Sequence, residues 1–253
     1  MKKYILLLFI AFQLNALSQG ATISFSGKVG LTNSSSFGRF VKSYNALNNN
    51  NKTPLKNFGT STGWSVNADL WISENIFMGY YQHKISAKAS SEINNYYTRE
   101  FDLTQKAWGM DFGGGAMQDG HGVAAFLGVY FAIANITSGL EFRDGYKSIG
   151  NDALLNGVYH GFAFSGSLGV KGYQFFGPVG LTACLRWCPM FGASELSDFG
   201  KGSNTTAATN LPEDWGAYIG VGGVSYNYNG AYVKPNFQSV FVELGLAFNL
   251  SNN

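Results

Sequence analysis

The segment VFVELGLAFNL, residues 240–250, lies three residues from the end of the chain and carries the pattern that decides the fold. Valine, leucine and phenylalanine fill every second position, and the residues between them are mixed: Phe241, Glu243, Gly245, Ala247 and Asn249. Since successive side chains of a β-strand point to opposite faces, this alternation predicts a strand with one apolar face. The fold then depends on what that face contacts.

The same two-residue alternation recurs along the chain and predicts eight strands. Their ranges are 21–32, 60–72, 76–88, 100–114, 122–137, 158–172, 178–188 and 237–250. In the third strand the alternation places Phe77, Tyr81 and Ile85 on the apolar face, together with His83, and Lys84 on the polar face. The connections alternate between long or medium (33–59, 89–99, 138–157, 189–236) and short (73–75, 115–121, 173–177). Short turns at one end and long loops at the other are typical of transmembrane β-barrels.

The first eighteen residues have the pattern of a secretory signal peptide. Lys2 and Lys3 precede an apolar run, and Ala16 and Ser18 occupy the −3 and −1 positions of an expected cleavage site. The predicted division is therefore a signal peptide at 1–18 and a barrel domain at 19–253. Removing the signal peptide leaves equal numbers of acidic and basic residues, which argues against a nucleic-acid-binding protein.

Composition and hydropathy favour a membrane barrel over a membrane helix. Aromatic residues make up 16% of the chain and charged residues only 13%. Beyond the signal peptide, no apolar run reaches the roughly 20 residues that a transmembrane helix needs. An exported chain of this kind that enters a membrane has to do so as a closed barrel.

The polar faces of the strands carry about one charge each, which is too few for a solvent-facing sheet. A secreted soluble barrel, the alternative, would present many more. We therefore expect the apolar faces to contact lipid and the polar faces to fill a narrow lumen, where oppositely charged groups pair. The predicted lumen charge network consists of Lys28, Asp69, Lys84, Asp111, Lys171, Arg186 and Glu243. Trp64, Trp108 and Trp187 are expected to belong to the aromatic girdles.

Two long loops have recognisable content. In the first, Phe37, Phe40, Val41, Tyr44 and Leu47 follow a helical spacing after a serine, which predicts a short amphipathic helix. In the last, residues 214–234 could form an extra hairpin, which would raise the strand count to ten. Eight strands is the favoured count.

The end of the quoted segment resembles the assembly signal on the last strand of bacterial outer-membrane barrels. Glu243, Gly245, Phe248 and Leu250 match its polar, glycine and hydrophobic positions, although three further residues follow Leu250. The whole mature chain resembles small barrels of the OmpA/OmpX/OmpW-like superfamily. This resemblance implies a location in the cell outer membrane, contact with outer-membrane lipid and with the assembly machinery, and no single activity.

No residue pattern indicates an enzyme, a metal site or a cofactor. His160 and Ser165 are five residues apart, so in a strand they face opposite sides and cannot form a base–nucleophile pair. Cys184 and Cys188 would lie about 13 Å apart on one strand, too far for a disulfide. The glycine runs at 113–115 and 220–223 lack the strand-to-helix context of a phosphate-binding loop.

The favoured function is a structural or protein-interaction role, with protein partners contacted through loop 1 (33–59) and loop 4 (189–236). A narrow channel or passive uptake route for small or apolar solutes is the main alternative. A lipid-modifying outer-membrane enzyme is the third. Because eight strands give an interior that side chains just fill, a wide aqueous pore is not expected.

Overall fold

The computed structural model describes residues 20–118, 120–142, 147–148, 155–194, 196, 233–234 and 236–250. The predicted signal peptide at 1–18 lies outside these residues, as does most of loop 4 with nearly all of the predicted hairpin at 214–234. The elements in chain order are β1 (Gly20–Asn33), α1 (Ser35–Leu47), β2 (Thr60–Ser73), β3 (Ile76–Glu92), β4 (Tyr97–Gln118), β5 (His121–Phe142), β6 (Lys147–Ser148), β7 (Gly157–Phe176), β8 (Val179–Cys188), β9 (Met190–Ala193) and β10 (Gln238–Asn249).

Eight of these strands form a closed antiparallel ring. Each barrel strand pairs with the next one along the chain, in the order β1, β2, β3, β4, β5, β7, β8 and β10, and β10 pairs back with β1. The short strands β6 and β9 pair only with β5 and with β7, respectively, and are not among the eight strands of the ring. The predicted eight-stranded up-and-down barrel is confirmed. Since β8 pairs directly with β10, the ten-stranded alternative is excluded.

The quoted C-terminal segment closes the ring. β10 pairs with β1 from Asn249 opposite Thr22 to Gln238 opposite Asn33, so the first and last strands align over their full lengths. Its alternate apolar residues point away from the barrel: Val240 is 47% exposed, Leu244 63% and Leu246 50%. The apolar face therefore covers the outside of the molecule.

The short connections lie at one end of the barrel and the long ones at the other, as the sequence predicts. At the short-turn end, two residues each join β2 to β3, β4 to β5 and β7 to β8. Gly120 and Gly177 have φ of 78° and 73°, which glycine adopts without steric cost, in two of these turns. The start of β1 and the end of β10 both lie at this end of the barrel. The opposite side, the long-loop end, carries α1 and the connection between β8 and β10.

The wall of the barrel is taller on one side. β4 and β5 have 22 residues each and β7 has 20, whereas β8 has 10 and β10 has 12. The extra residues lie at the long-loop end, where β3 and β4 continue through most of the predicted connection at 89–99. On β3 and β4 the outward side chains there become polar, so these two strands lose the apolar alternation that marks the membrane-facing part.

Helix α1 packs its apolar face into the long-loop end of the barrel. The Ser34 side chain caps its first turn by accepting a hydrogen bond from the backbone N–H of Phe37 at 3.1 Å. Phe37 and Phe40 are buried, and both rings contact Phe101 of β4, with centroids 5.7 and 5.5 Å away. Within the described residues, no helix has the length and apolar character needed to span a membrane.

One predicted strand face is wrong. On β3 the residues Phe77, Tyr81, His83 and Ile85 are buried inside the barrel, at 3% exposure or less. Lys84 therefore lies on the outer surface and not in the lumen. Phe77, Tyr81 and Ile85 fill the interior, while the polar residues Gln82, Lys84 and Ser86 face outward near the long-loop end. The alternation alone could not distinguish these two arrangements.

Candidate functional site

The centre of the barrel interior is occupied by the guanidinium group of Arg186. This side chain projects from β8 and is completely buried. Its Nη1 and Nη2 donate hydrogen bonds to Asp111 Oδ1 and Oδ2 of β4 at 3.1 and 3.0 Å, a bidentate arrangement. Its Nε lies 3.2 Å from Oε1 of Glu243 on β10. One cation thus bridges two carboxylates on opposite parts of the ring.

A second cation, Lys28 of β1, completes this central group. Its Nζ lies 3.2 Å from Glu243 Oε1, and both side chains are buried. With Arg186 and Asp111, the group contains two cations and two anions, so the buried charges balance. Removal of ions from water costs several kcal/mol each, and the pairing offsets that cost.

Hydroxyl groups supply the remaining hydrogen bonds of the central group. Tyr81 donates to Glu243 Oε1 at 2.8 Å and accepts from Lys28 at 2.7 Å. Ser65 donates to the other oxygen of Glu243 at 2.9 Å. Tyr130 donates to Asp111. The Arg186 guanidinium also stacks on the ring of Tyr81, 3.6 Å from its centroid.

A separate ion pair lies nearer the short-turn end. Lys171 of β7 contacts Asp69 of β2 at 2.7 Å, with both side chains buried. Tyr173 donates a hydrogen bond to the other oxygen of Asp69. The Lys171 ammonium lies 3.8 Å from the ring centroid of Phe77. Between them, the two groups hold the barrel wall together across its diameter.

The structure therefore brings six of the seven predicted lumen charges into two groups and leaves Lys84 outside. The tyrosine and serine hydroxyls were not predicted from the sequence. A signal for them exists in retrospect: Tyr81, Tyr130 and Tyr173 each occupy an inward position on their strand. A tyrosine there has to place its hydroxyl among polar partners.

Two inward glycines make room for these groups. A Cβ added to Gly128 would overlap Oδ1 of Asp111, and one added to Gly79 would overlap Oδ1 of Asp69. Each glycine thus lies opposite a buried carboxylate. The small residues on the polar face are as necessary to the ionic interior as the charges.

The long-loop end is closed by an apolar core instead of ions. Phe37, Phe40, Val41 and Tyr44 of α1 pack with Leu55 and Phe58 of the same loop against inward side chains of the wall. The wall residues include Ala87, Ala89, Phe101, Leu103, Ala134 and Ile136. We call α1 with residues 48–59 the cap. It covers the ionic interior from above.

The outer surface of the cap is basic. Arg39, Lys42, Lys52 and Lys56 are exposed, and the sequence from 33 to 68 contains no acidic residue. Lys52 contacts Glu92 of β3 at 3.1 Å, in an exposed pair. The cap thus presents cations and a run of asparagines on the side away from the barrel.

The arrangement of the other candidate residues does not suggest a catalytic centre. His160 is exposed on the outside of β7, whereas Ser165 is buried on its inner side. Cys184 and Cys188 are buried, free thiols. Within the described residues, no group of three potential metal ligands from His, Cys, Asp and Glu is found.

Three residues of the predicted assembly signal lie on β10, and the fourth, Leu250, directly follows it. Glu243 belongs to the central ionic group, and Gly245 faces Ser26 of β1, where a Cβ would overlap the neighbouring strand. Phe248 and Leu250 are exposed on the outer surface. These placements describe the folded barrel, and recognition during assembly stays a prediction.

No protein-family model and no curated protein matches the chain. Several solved structures are similar to it in architecture. Ail, the attachment invasion locus protein of Yersinia pestis, is 8% identical with a TM-score of 0.40, over 92% of this chain and 99% of that chain. The outer membrane protein OprG from Pseudomonas aeruginosa is 8% identical with a TM-score of 0.48, over 93% and 97%. Neisserial surface protein A is 12% identical with a TM-score of 0.42, over 90% and 98%.

The surface of this chain is that of a membrane-spanning barrel. Its outside is apolar around the ring, its interior holds the buried ion pairs, and the ring leaves no strand edge unpaired along the apolar band. Such a surface would be unfavourable in water and is the one that lipid requires. The chain is an integral membrane β-barrel.

Proposed function

We propose that this outer-membrane barrel is closed to solutes and acts as a structural and interaction protein through the cap at its extracellular end. The long-loop end is taken as extracellular and the short-turn end as periplasmic. The main support is the interior itself: Arg186, Asp111, Glu243 and Lys28 fill the middle of the barrel with paired, buried charges. The cap adds an apolar layer above them.

The partner that fits the cap is an acidic one. Four exposed cations lie on its surface without an acid in the same stretch of sequence. The apolar side chains of α1 are already used against the barrel wall, so electrostatic attraction is the main interaction that the cap offers. Loop 4 was predicted to share in this role, and most of it lies outside the described residues.

Binding to an acidic polymer tests the interaction role. The purified barrel in detergent should bind immobilised polyglutamate at low salt and release it at high salt, because exposed charges are screened. Replacing Arg39, Lys42, Lys52 and Lys56 together by glutamine should weaken this binding about tenfold or more. A control that removes two cations outside the cap, Lys84 and Lys106, by replacement with glutamine should bind as the unmodified protein does. Equal binding by the two variants would contradict a role for the cap.

A narrow channel is the alternative function, and conductance separates it from the closed barrel. In planar lipid bilayers we expect no discrete openings from the folded protein, since passage would require the buried ion pairs and the cap to move together. Regular single-channel steps that persist with several independent preparations would overturn the closed-barrel proposal and favour transport.

A further inference from the structure

Two lysines face each other on the outer surface of the barrel. Lys84 of β3 is directly opposite Lys106 of β4 in the strand register. Both point outward, on the side opposite to Ile85 and Ala107, which are each 1% exposed. Side chains in directly opposite positions have Cβ atoms about 5 Å apart, and like charges in such a pair are destabilising.

These lysines lie at the edge of the apolar band. On the same outer surface, Trp64 is opposite Lys84, Ile133 is opposite Lys106, and Trp108 is two residues along β4 towards the periplasmic end. All three are exposed apolar side chains. In the extracellular direction the outward residues are polar: Ser86, Lys88, Thr104 and Asp102. Tryptophans with lysines just beyond them mark the level of lipid headgroups.

The nearby acids do not neutralise the two lysines. Glu100 and Asp102 contact Lys88 instead, at 3.2 and 3.7 Å. Within the part of the chain that the structure describes, no ion pair includes Lys84 or Lys106. Among the described residues, these two neighbouring cations at the membrane boundary therefore have no counter-charge.

We propose that Lys84 and Lys106 together bind the phosphate of an anionic lipid headgroup in the outer leaflet. A phosphate between the two ammonium groups would remove their mutual repulsion and provide acceptor oxygens for both. Lysine stems can lie along apolar surface while the charged ends reach the headgroup level. The acyl chains of the same lipid would contact the outward side chains below, such as Trp108 and Phe112. The interaction is independent of any partner of the cap.

The test measures lipid retention by native mass spectrometry of the full-length barrel. The probe is lipid A, whose headgroup carries phosphates, with phosphatidylcholine as the zwitterionic comparison. We expect the unmodified protein to retain lipid A, and the variant with Lys84→Gln and Lys106→Gln to retain about tenfold less. The control variant with Lys52→Gln and Lys56→Gln loses the same number of charges from the cap and should retain lipid A normally.

Three outcomes would overturn the proposal. They are equal retention by both double variants, equal retention of phosphatidylcholine and lipid A by the unmodified protein, and loss of bound lipid A when inorganic phosphate is added. The last would indicate a site for free phosphate.

A stability measurement guards against a folding defect. Without lipid A, the double variant should unfold in detergent at the same or a higher temperature than the unmodified protein, because the like-charge pair is gone. Lipid A should then raise the unfolding temperature of the unmodified protein only. Lys84→Glu provides a second variant, since the new carboxylate would pair with Lys106 in place of a lipid. A lower unfolding temperature for both variants without lipid would contradict the repulsion on which the proposal depends.

Discussion

Arg186 illustrates how a buried charge in this protein depends on its surroundings. It contacts two carboxylates, stacks on Tyr81 and has no exposed surface. Its position was predictable because Arg186 alternates with apolar residues on β8. Its partners were not predictable, since Asp111 and Glu243 come from strands distant in the sequence and meet it only when the ring closes.

Replacing Arg186 should be costly. Arg186→Met leaves Asp111 and Glu243 with one cation fewer in the interior, and we expect a loss of about 3–5 kcal/mol of stability. The measurement is thermal unfolding in detergent, monitored as the temperature at which the mobility of the protein on a gel changes. The control is Lys52→Gln, which removes an exposed ion pair and should cost about 1 kcal/mol or less. Similar stabilities for both variants would show that the central pairing contributes little.

A single substitution can test whether the outward face of β10 contacts lipid. Leu244 is the middle member of the five outward apolar side chains of β10, and it is 63% exposed. Leu244→Arg should cost about 2–4 kcal/mol and reduce membrane assembly. The matched change Thr60→Arg, at the extracellular end of β2, should cost about 1 kcal/mol or less, because its position is near the interface. Normal assembly of Leu244→Arg would contradict the outward assignment.

Among the elements, strands were easier to predict than their faces. The alternation predicted the strand at 60–72 almost to its observed bounds, whereas β4 extends from 97 to 118, beyond the predicted 100–114. The missed residues of β4 carry no membrane-facing apolar pattern. On β3, aromatic residues face the interior and polar residues face outward, which is the opposite of the usual pattern. The prediction therefore placed Lys84 in the lumen, whereas it lies on the outer surface.

Helix α1 lies where Phe37, Phe40, Val41 and Tyr44 predict a helix, but its packing partner could not be read from the sequence. An amphipathic helix in a loop could cover a mouth or bind another protein. The pairing of β3, β4 and β5 creates an apolar surface above the ionic interior, and that surface receives the helix. The choice between these roles therefore depends on tertiary structure.

The cap should loosen when its core is truncated. Phe40→Ala removes a ring buried against Phe37, Tyr44 and Phe101, and large-to-small changes of this kind cost about 3–5 kcal/mol. We expect faster amide hydrogen exchange in residues 35–47, with exchange in the barrel strands unchanged. Lys42→Ala, on the exposed side of the same helix, should change the local stability by about 0.5 kcal/mol or less. If hydrogen exchange became faster throughout the protein, the cap and the barrel would instead unfold as one cooperative unit.

At the scale of the whole molecule, the ring was predictable because loop lengths alternate and the strand count is even. The uneven wall was not, since the predicted ranges 100–114 and 122–137 stop short of the observed β4 and β5 at the long-loop end, where polar residues interrupt the apolar alternation. Strands β3, β4 and β5 on this tall side also support the cap, so the two form one structure at the long-loop end.

A closed ring predicts heat-modifiable migration. The unheated protein in dodecyl sulfate should stay folded and migrate differently from the boiled protein, because every barrel strand is hydrogen-bonded on both sides. Arg186→Met should lower the temperature at which the two forms interconvert, and Lys56→Gln should leave it unchanged. A single band of constant mobility at all temperatures would contradict a stable barrel.

The contact between Lys28 and Glu243 joins the second half of the first strand to the last one, 215 residues later. A wall that lacked β10 would hold Lys28 and Arg186 against Asp111 alone, and β1 and β8 would each have an unpaired edge. In the closed ring, β10 supplies both the carboxylate of Glu243 and the backbone partners of β1 and β8. We therefore expect a chain truncated before β10 to be unstable in a bilayer, because it would have both unpaired backbone groups along an open seam and an excess of buried positive charge.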